Sequence, residues 1–243
     1  MKIAISGTYS TGKTTLSIAL ALLTGIPATR ARTMREILPA TFPDYSLEQC
    51  GPSQLMELGM RRFTERIQAE LILNNSFISD GCPLQEWLYG STRLITGLNP
   101  SESPKKVKEW INNHRDQWNV FRQAINAFGK VTKDYTKRNY DAIIHLPVEF
   151  PFVPEGHRPT SEHFRNESDK RLREVYKELK ICPLEVYGSL SKRLKMIVEY
   201  LNLDTVISIK EAVDKLNVRK KNGDFSIEIE KRGVGKKNLF DAA

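Results

Sequence analysis

The segment Gly7-Thr8-Tyr9-Ser10-Thr11-Gly12-Lys13-Thr14 fits the pattern GxxxxGK[ST] at every fixed position. It follows the short apolar run Lys2-Ile3-Ala4-Ile5-Ser6 and precedes Leu16, Ala19, Leu20 and Leu23, which recur at helical spacing. The motif therefore sits between a predicted strand and a predicted helix, the context its chemistry requires. Glycines at 7 and 12 let backbone N–H groups wrap a phosphate chain, and the start of the helix, through Thr15, adds a favourable dipole. Lys13 is expected to reach the β and γ phosphates and the Thr14 hydroxyl to ligate magnesium, so ATP and Mg2+ are the expected ligands. Such a loop identifies a nucleotide site and leaves the reaction open. The sequence has no NKxD-like guanine signature, and no apolar run closing in the Asp-Glu pair of a motor ATPase.

The rest of the chain predicts an α/β fold of the P-loop NTPase type: a mostly parallel sheet of about five strands, helices on both faces, a helical insertion and a lid. After Gly25 and Pro27 comes an extended segment, then a short helix from Thr33 to Leu38 ended by Pro39. Met56, Met60, Phe63, Ile67 and Leu71 mark one face of a long helix within Ser53 to Leu73. Phe77-Ile78-Ser79 reads as a strand delivering Asp80, followed by a helix from about Leu84 to Ile95. Val107, Ile111, Trp118, Phe121, Ile125 and Phe128 trace one further long helix, placed in an insertion at about 100–139. Ala142 to Leu146 is a buried strand, and the lid is expected at about 150–175. Leu184 to Tyr187 is a short strand, Leu190 to Leu201 a helix, and Thr205 to Ile209 a candidate edge strand. The kinase-like domain is thus expected over 1–209, with a short helix and basic tail over 210–243.

At 243 residues, 40% hydrophobic and 27% charged, the chain is long enough to bury one substantial core. No apolar run approaches the roughly 20 residues of a membrane span, and the start lacks a signal-peptide pattern, so a cytoplasmic protein is expected. Cys50, Cys82 and Cys182 are too scattered for a disulfide framework or a CxxC site and read as reduced. A net charge of +8 favours anionic partners. Much of it lies between Lys105 and Arg138 and in the tail with Arg219-Lys220-Lys221, Lys231-Arg232 and Lys236-Lys237. Charge alone leaves small anionic metabolites and nucleic acid both open, and self-association as well.

Asp80 stands where a strand beside the first would bring a carboxylate to the phosphates, to hold magnesium through water or to take a proton from an acceptor hydroxyl. Asp80-Gly81-Cys82-Pro83-Leu84-Gln85-Glu86-Trp87-Leu88-Tyr89 resembles the Asp-Arg-Ser-Pro-x-Asp-x-x-x-Tyr segment of P-loop nucleoside and nucleotide kinases. Asp80, Pro83 and Tyr89 match; Gly81 replaces an arginine and Gln85 an acid. Glu155-Gly156-His157-Arg158-Pro159, with Phe164-Arg165 downstream, is similar to the lid of the nicotinamide riboside kinase-like group. That resemblance implies that Arg158 and Arg165 close over the phosphates, with Arg171 and Arg173 as lesser candidates. Val186-Tyr187-Gly188-Ser189 leading to Arg193 resembles the closing segment of these kinases, in which backbone near Gly188 borders the adenine.

On the acceptor side, such kinases carry Glu-x-x-Arg after the second strand, where this chain has Arg32-Thr33-Met34-Arg35 and then Glu36. Arg35 matches and Arg32 replaces the acid, which suits an acceptor bearing phosphate or carboxylate. Asp80 or Glu36 is then the base. His157 and His163 lack acids at ligand spacing and are not read as a metal site, and Trp87, Trp110 and Trp118 are read as packing residues. The leading expectation is an ATP-dependent kinase for a nucleoside, nucleotide or related metabolite. A kinase acting on a nucleic-acid hydroxyl and a regulatory ATP-binding protein with little turnover stand as alternatives.

Overall fold

The computed structural model describes residues 1–73, 75–99, 102–150 and 161–221. In chain order the elements are β1 (Lys2–Gly7), α1 (Lys13–Thr24), β2 (Ala28–Thr29), α2 (Met34–Thr41), α3 (Pro52–Leu73), β3 (Phe77–Asp80) and α4 (Pro83–Thr96). They continue with α5 (Pro104–Asn113), α6 (Arg115–Asn139), β4 (Ala142–Leu146), α7 (Glu162–Leu179), β5 (Leu184–Glu185), α8 (Leu190–Leu201) and α9 (Ile209–Lys221). The strands form one five-stranded sheet in the order β2-β3-β1-β4-β5. All four pairings are parallel, as helical crossovers between strands require.

Side chains alternate along β1 and so feed two cores. Ile3 and Ile5 pack with Leu16, Leu20 and Leu23 of α1, Leu194 and Ile197 of α8, and Ala212 and Leu216 of α9. Ala4 belongs to the opposite face, with Trp87 and Leu88 of α4, Phe121 and Ile125 of α6, and Leu172 and Val175 of α7. A smaller cluster of Ile37, Leu38, Cys50, Leu55 and Leu58 joins α2 to α3. Registers of Ile5 with Asp80 and Gly7 with Leu146 bring the carboxyl ends of the three central strands together. Crevices at such strand ends are where open α/β sheets bind ligands.

Three expectations change. The long helix through Val107 and Phe128 is two helices, because His114 leaves the α region (φ −128, ψ 40) and its ring stacks 4.5 Å from that of Trp110. Helix α2 runs past Pro39 to Thr41; near a helix end a proline forfeits one backbone bond, and the Phe42 N–H still closes on the Leu38 carbonyl at 2.7 Å. The segment from Thr205 to Ile209 is not a strand: the Val206 N–H donates to the Leu23 carbonyl at 2.8 Å, tying it to the end of α1. No helix among the described residues is long and apolar enough to cross a membrane, and Cys50, Cys82 and Cys182 are free thiols.

Candidate functional site

The phosphate loop runs from the end of β1 over residues 7 to 12 into α1. Gly7 has φ +140, and a Cβ there would stand 2.6 Å from the Leu146 carbonyl and 2.9 Å from Thr11 Oγ1, so only glycine fits between β1 and β4. The N-cap of α1 is Gly12 in the left-handed region, and no side chain caps its amides. An uncapped helix start is an anion site in waiting. Lys13 Nζ rests on the Thr8 carbonyl, and Thr11 Oγ1 donates to the same carbonyl at 2.9 Å. Thr8 is buried, whereas Tyr9, Ser10, Thr14 and Thr15 are half-buried.

Parallel pairing of β1 with β3 brings Asp80 to this loop: the Thr14 hydroxyl donates to Asp80 Oδ2 at 2.6 Å. A hydroxyl and a carboxylate at that separation are oxygen donors of the kind that suits magnesium. Gln85 completes the underside, donating to the Gly7 carbonyl and accepting from the Cys82 N–H at 2.9 Å. The sequence comparison marked Gln85 only as a missing acid, and its hold on the loop was not legible.

Gly81 explains the absent arginine. At φ +104, a Cβ would meet Gln85 Oε1 at 2.5 Å and Arg66 Nη2 at 2.8 Å. A guanidinium from α3 occupies that space. Arg66 is fully buried and pairs with Glu86 Oε1 at 2.7 Å, and its Nη1 donates to Ser79 Oγ and to the Asp80 carbonyl, both at 3.0 Å. Burial opposes its charge, but Glu86, aided by Tyr140 and Glu70, outweighs burial and raises its pKa. Glu70 accepts from Ser79 Oγ at 2.7 Å, Tyr135 at 3.0 Å and Tyr140 at 2.6 Å. Burial first, and then the Glu70 charge, push the Tyr140 phenol well up. This network fixes the end of β3 that carries Asp80. Its members are spread over α3, β3, α4 and α6, and no local pattern announces them.

Two acceptor-side candidates are engaged elsewhere. Arg32 meets Glu65 through Nη2 at 2.7 Å and Nε at 3.1 Å, so its charge is answered inside the protein. Glu36 accepts from the Thr33 N–H at 2.6 Å in a capping box at the start of α2 and pairs with Arg30 at 2.6 Å. Burial raises its pKa, but the Thr33 amide and Arg30 outweigh that and lower it. A carboxylate so stabilised is a poor proton acceptor. Arg35 lies half-buried on α2. Tyr89 joins Tyr9 and Phe164 in an aromatic group with centroids 6.1 to 6.3 Å apart.

The start of α7 touches the loop directly, through the Tyr9 hydroxyl donating to the Ser161 carbonyl at 2.7 Å. Arg165 is buried, donates Nη2 to the Phe150 carbonyl, and has no hydrogen-bond partner for Nε or Nη1 among the described residues. Arg158, with Glu155, Gly156, His157 and Pro159, lies outside the described residues, as does the tail beyond 221. Arg171 donates to Ser91 Oγ at 2.5 Å and lies over Trp87, and Arg173 pairs with Asp169 and Glu185, so both are used in packing α7. Arg193 has a more direct place. Its Nη1 donates to the Thr11 carbonyl at 3.0 Å and its Nη2 pairs with Glu149 at 2.5 Å, while Glu149 also accepts from the Gly188 N–H at 2.8 Å. The segment around Gly188 is thereby pinned to the phosphate loop.

A narrow cavity lies between α2, α3, α4 and α6, lined by Met34, Met56, Glu86, Arg93, Phe121 and Phe128 among others. Glu86 is doubly paired there, with Arg66 and with Arg62 Nη1 at 2.9 Å. Trp87 packs against the same helices, and no cluster of His, Cys, Asp and Glu able to hold a metal occurs among the described residues.

A family model described as an AAA domain (AAA_28) matches residues 2–193. The solved deoxyadenosine kinase from M. mycoides with bound dCTP superposes with a TM-score of 0.54 at 18% identity, covering 83% of this chain and 99% of that one. The same kinase with bound dATP gives 0.54 at 17%, over 83% and 100%. A NadR protein in complex with NR gives 0.49 at 15%, over 84% and 52%. At these identities the likeness to deoxyadenosine kinase is one of fold. No curated protein matches the chain.

Proposed function

The chain belongs to the AAA domain family whose model spans residues 2–193, and from that premise we propose that it is an ATP-dependent kinase for a nucleoside, nucleotide or related metabolite. The observation that carries this reading is the 2.6 Å contact between the Thr14 hydroxyl and the Asp80 carboxylate, which joins the phosphate loop to a single acid at the neighbouring strand end. A motor ATPase would need a glutamate beside that acid; here Gly81 follows. The M. mycoides enzyme of the same fold is a deoxyadenosine kinase, which supports a nucleoside-like acceptor.

In this reading the uncapped amides of α1 hold the phosphates, and Lys13 leaves the Thr8 carbonyl to bridge the β and γ groups. Thr14 and Asp80 are the residues that would hold magnesium, which when bound would supply charge neutralisation at the phosphates. The acceptor hydroxyl oxygen attacks the γ-phosphorus, its proton passes to the Asp80 carboxylate, and the bond to the β-phosphate oxygen breaks with ADP taking the electron pair. Arg66 keeps Asp80 in place through its backbone carbonyl, as a positioning residue. Arg193 steadies the loop from behind.

The test is transfer of label from γ-labelled ATP to a panel of nucleosides, nucleotides and a DNA strand with a free 5′ hydroxyl. Lys13→Ala is expected to abolish product while leaving the far-ultraviolet circular dichroism unchanged. Retained transfer by the variant would overturn the proposal.

A further inference from the structure

A guanidinium withdrawn from water needs an answering carboxylate, or it destabilises the fold. Arg66 faces Glu86, Arg193 faces Glu149 and Arg32 faces Glu65. Arg165 on α7 lacks such a carboxylate among the described residues, and so does Arg93 in the last turn of α4, which lines the cavity. Arg93 is 5% exposed. Its Nε donates to the Leu98 carbonyl at 2.9 Å, its Nη1 to the Tyr89 carbonyl at 3.3 Å, and its guanidinium lies 5.5 Å from the Phe164 ring centre. No described carboxylate is within ion-pair distance of it. Burial pulls its pKa down to about 10, which leaves it charged at neutral pH. The two carbonyls explain how Arg93 ties the end of α4 to the following loop; they do not explain a full buried charge. The nearest acid on the same cavity wall, Glu86, is already shared by Arg62 and Arg66.

Arg93 lines the cavity described above, among Met34, Met56, Phe121 and Phe128. Helix α4 starts directly behind Asp80 and Gly81, and from Glu86 to Arg93 it rises about 10 Å. Arg93 is thus about two helical turns further along α4 than Glu86, whose partner Arg66 holds the Asp80 carbonyl. As it stands the cavity has room for about one water, so a ligand has to displace Met34 and Met56, whose unbranched thioether chains re-pack readily.

We infer that the acceptor has a compact planar or apolar body with an anionic group at the end remote from its reacting hydroxyl, and that Arg93 selects it. This rests on the kinase reading and narrows its acceptor. Calorimetry on the full chain without ATP, comparing uridine with 5-carboxyuridine, tests it, because the two differ by one carboxylate on the edge of the base away from the ribose. 5-Carboxyuridine is expected to bind roughly tenfold tighter or better. Arg93→Met is expected to bring the two to the same affinity, and Arg93→Lys to keep part of the preference. Arg93→Met also takes the donor from the Leu98 and Tyr89 carbonyls, so a modest fall in melting temperature is expected, and unchanged far-ultraviolet circular dichroism shows that the variant is folded.

Equal affinities in the unaltered protein overturn the inference. A preference that persists in Arg93→Met, with or without a lower melting temperature, also overturns it. So does failure of both nucleosides to bind while magnesium ATP binds. A preference for uridine 5′-monophosphate over uridine that disappears in Arg93→Met would put the anion at the reacting end and overturn its placement. The kinase reading fails separately, through absent affinity for magnesium ATP or retained transfer by Lys13→Ala.

Discussion

The phosphate loop is made of consecutive residues whose backbone does the work, with Gly7 and Gly12 supplying the conformations and a single lysine and threonine the chemistry. The cavity between α2, α3, α4 and α6, where the proposal seats the acceptor, has its charges set by pairs such as Arg66 with Glu86 that meet only after the chain has folded. The first kind of site is nearly independent of its surroundings. In the second, one side chain both packs the core and positions Asp80, so a change there should register in stability and in chemistry together.

The largest effect expected from this contrast is at Arg66. Arg66→Met leaves Glu86 with one fewer partner in a dry site and removes the tether to Ser79 and to the Asp80 carbonyl, for a loss of about 3–5 kcal/mol. Urea unfolding measures it. The paired change Arg66→Met with Glu86→Gln should recover part of that loss without recovering phosphoryl transfer, because Asp80 stays untethered. If the pair restores transfer as well as stability, Arg66 serves only packing, and the contrast between the two sides is weaker than drawn.

On the nucleotide side the next effect is at Gly7. A Cβ at φ +140, facing the Leu146 carbonyl at 2.6 Å, must push β1 and β4 apart, at a cost of about 2–3 kcal/mol. The loop distortion should also remove nucleotide affinity, which calorimetry with magnesium ATP would show. Gly7→Ala with unchanged affinity would mean that the cradle tolerates a different strand spacing.

Legibility followed the same division. Gly7 to Thr14, the strands at 2–6, 77–79 and 142–146, and Asp80 were all readable, because each is fixed by local pattern and by parallel register at the strand ends. The acceptor side was less legible. Arg32 looked like an anion receptor because a cation replaced the family's acid, yet Glu65, on another helix, neutralises it. Glu36 looked like a base, and three residues earlier Thr33 makes it a cap, a pattern that was present in the sequence as Thr-x-x-Glu. Arg66, Glu86 and Arg93 were invisible because their meaning depends on which of them has a partner, and spacing along a helix does not carry that information.

Arg32 gives a smaller effect. Arg32→Ala removes a partly exposed pair with Glu65, for about 0–1 kcal/mol, and should raise the acceptor KM far less than Arg93→Met. A KM change at Arg32 exceeding that at Arg93 would return the selecting role to the second-strand loop and shift the acceptor's charge toward the reacting end.

The smallest effect concerns how α7 is fastened to the nucleotide side. Asp169 lies 3.4 Å from His145 Nε2 on β4 and 2.9 Å from Arg173 Nε. Burial raises its pKa, but His145 and Arg173 outweigh burial, so the folded value is lower than usual. A depressed carboxyl pKa means that the unfolded chain takes up the proton first as pH falls. The stability it contributes is therefore complete above about pH 5 and lost as pH falls through about 4 toward the folded value. Asp169→Asn should flatten the dependence of urea-unfolding stability on pH between about 5 and 3, leaving affinity for magnesium ATP nearly unchanged at neutral pH. The alternative outcome, a variant as steeply acid-sensitive as the unaltered protein, would locate that sensitivity in the acceptor-side carboxylates instead, with Glu36 at the cap of α2 the first to examine, since its pKa is lowered too.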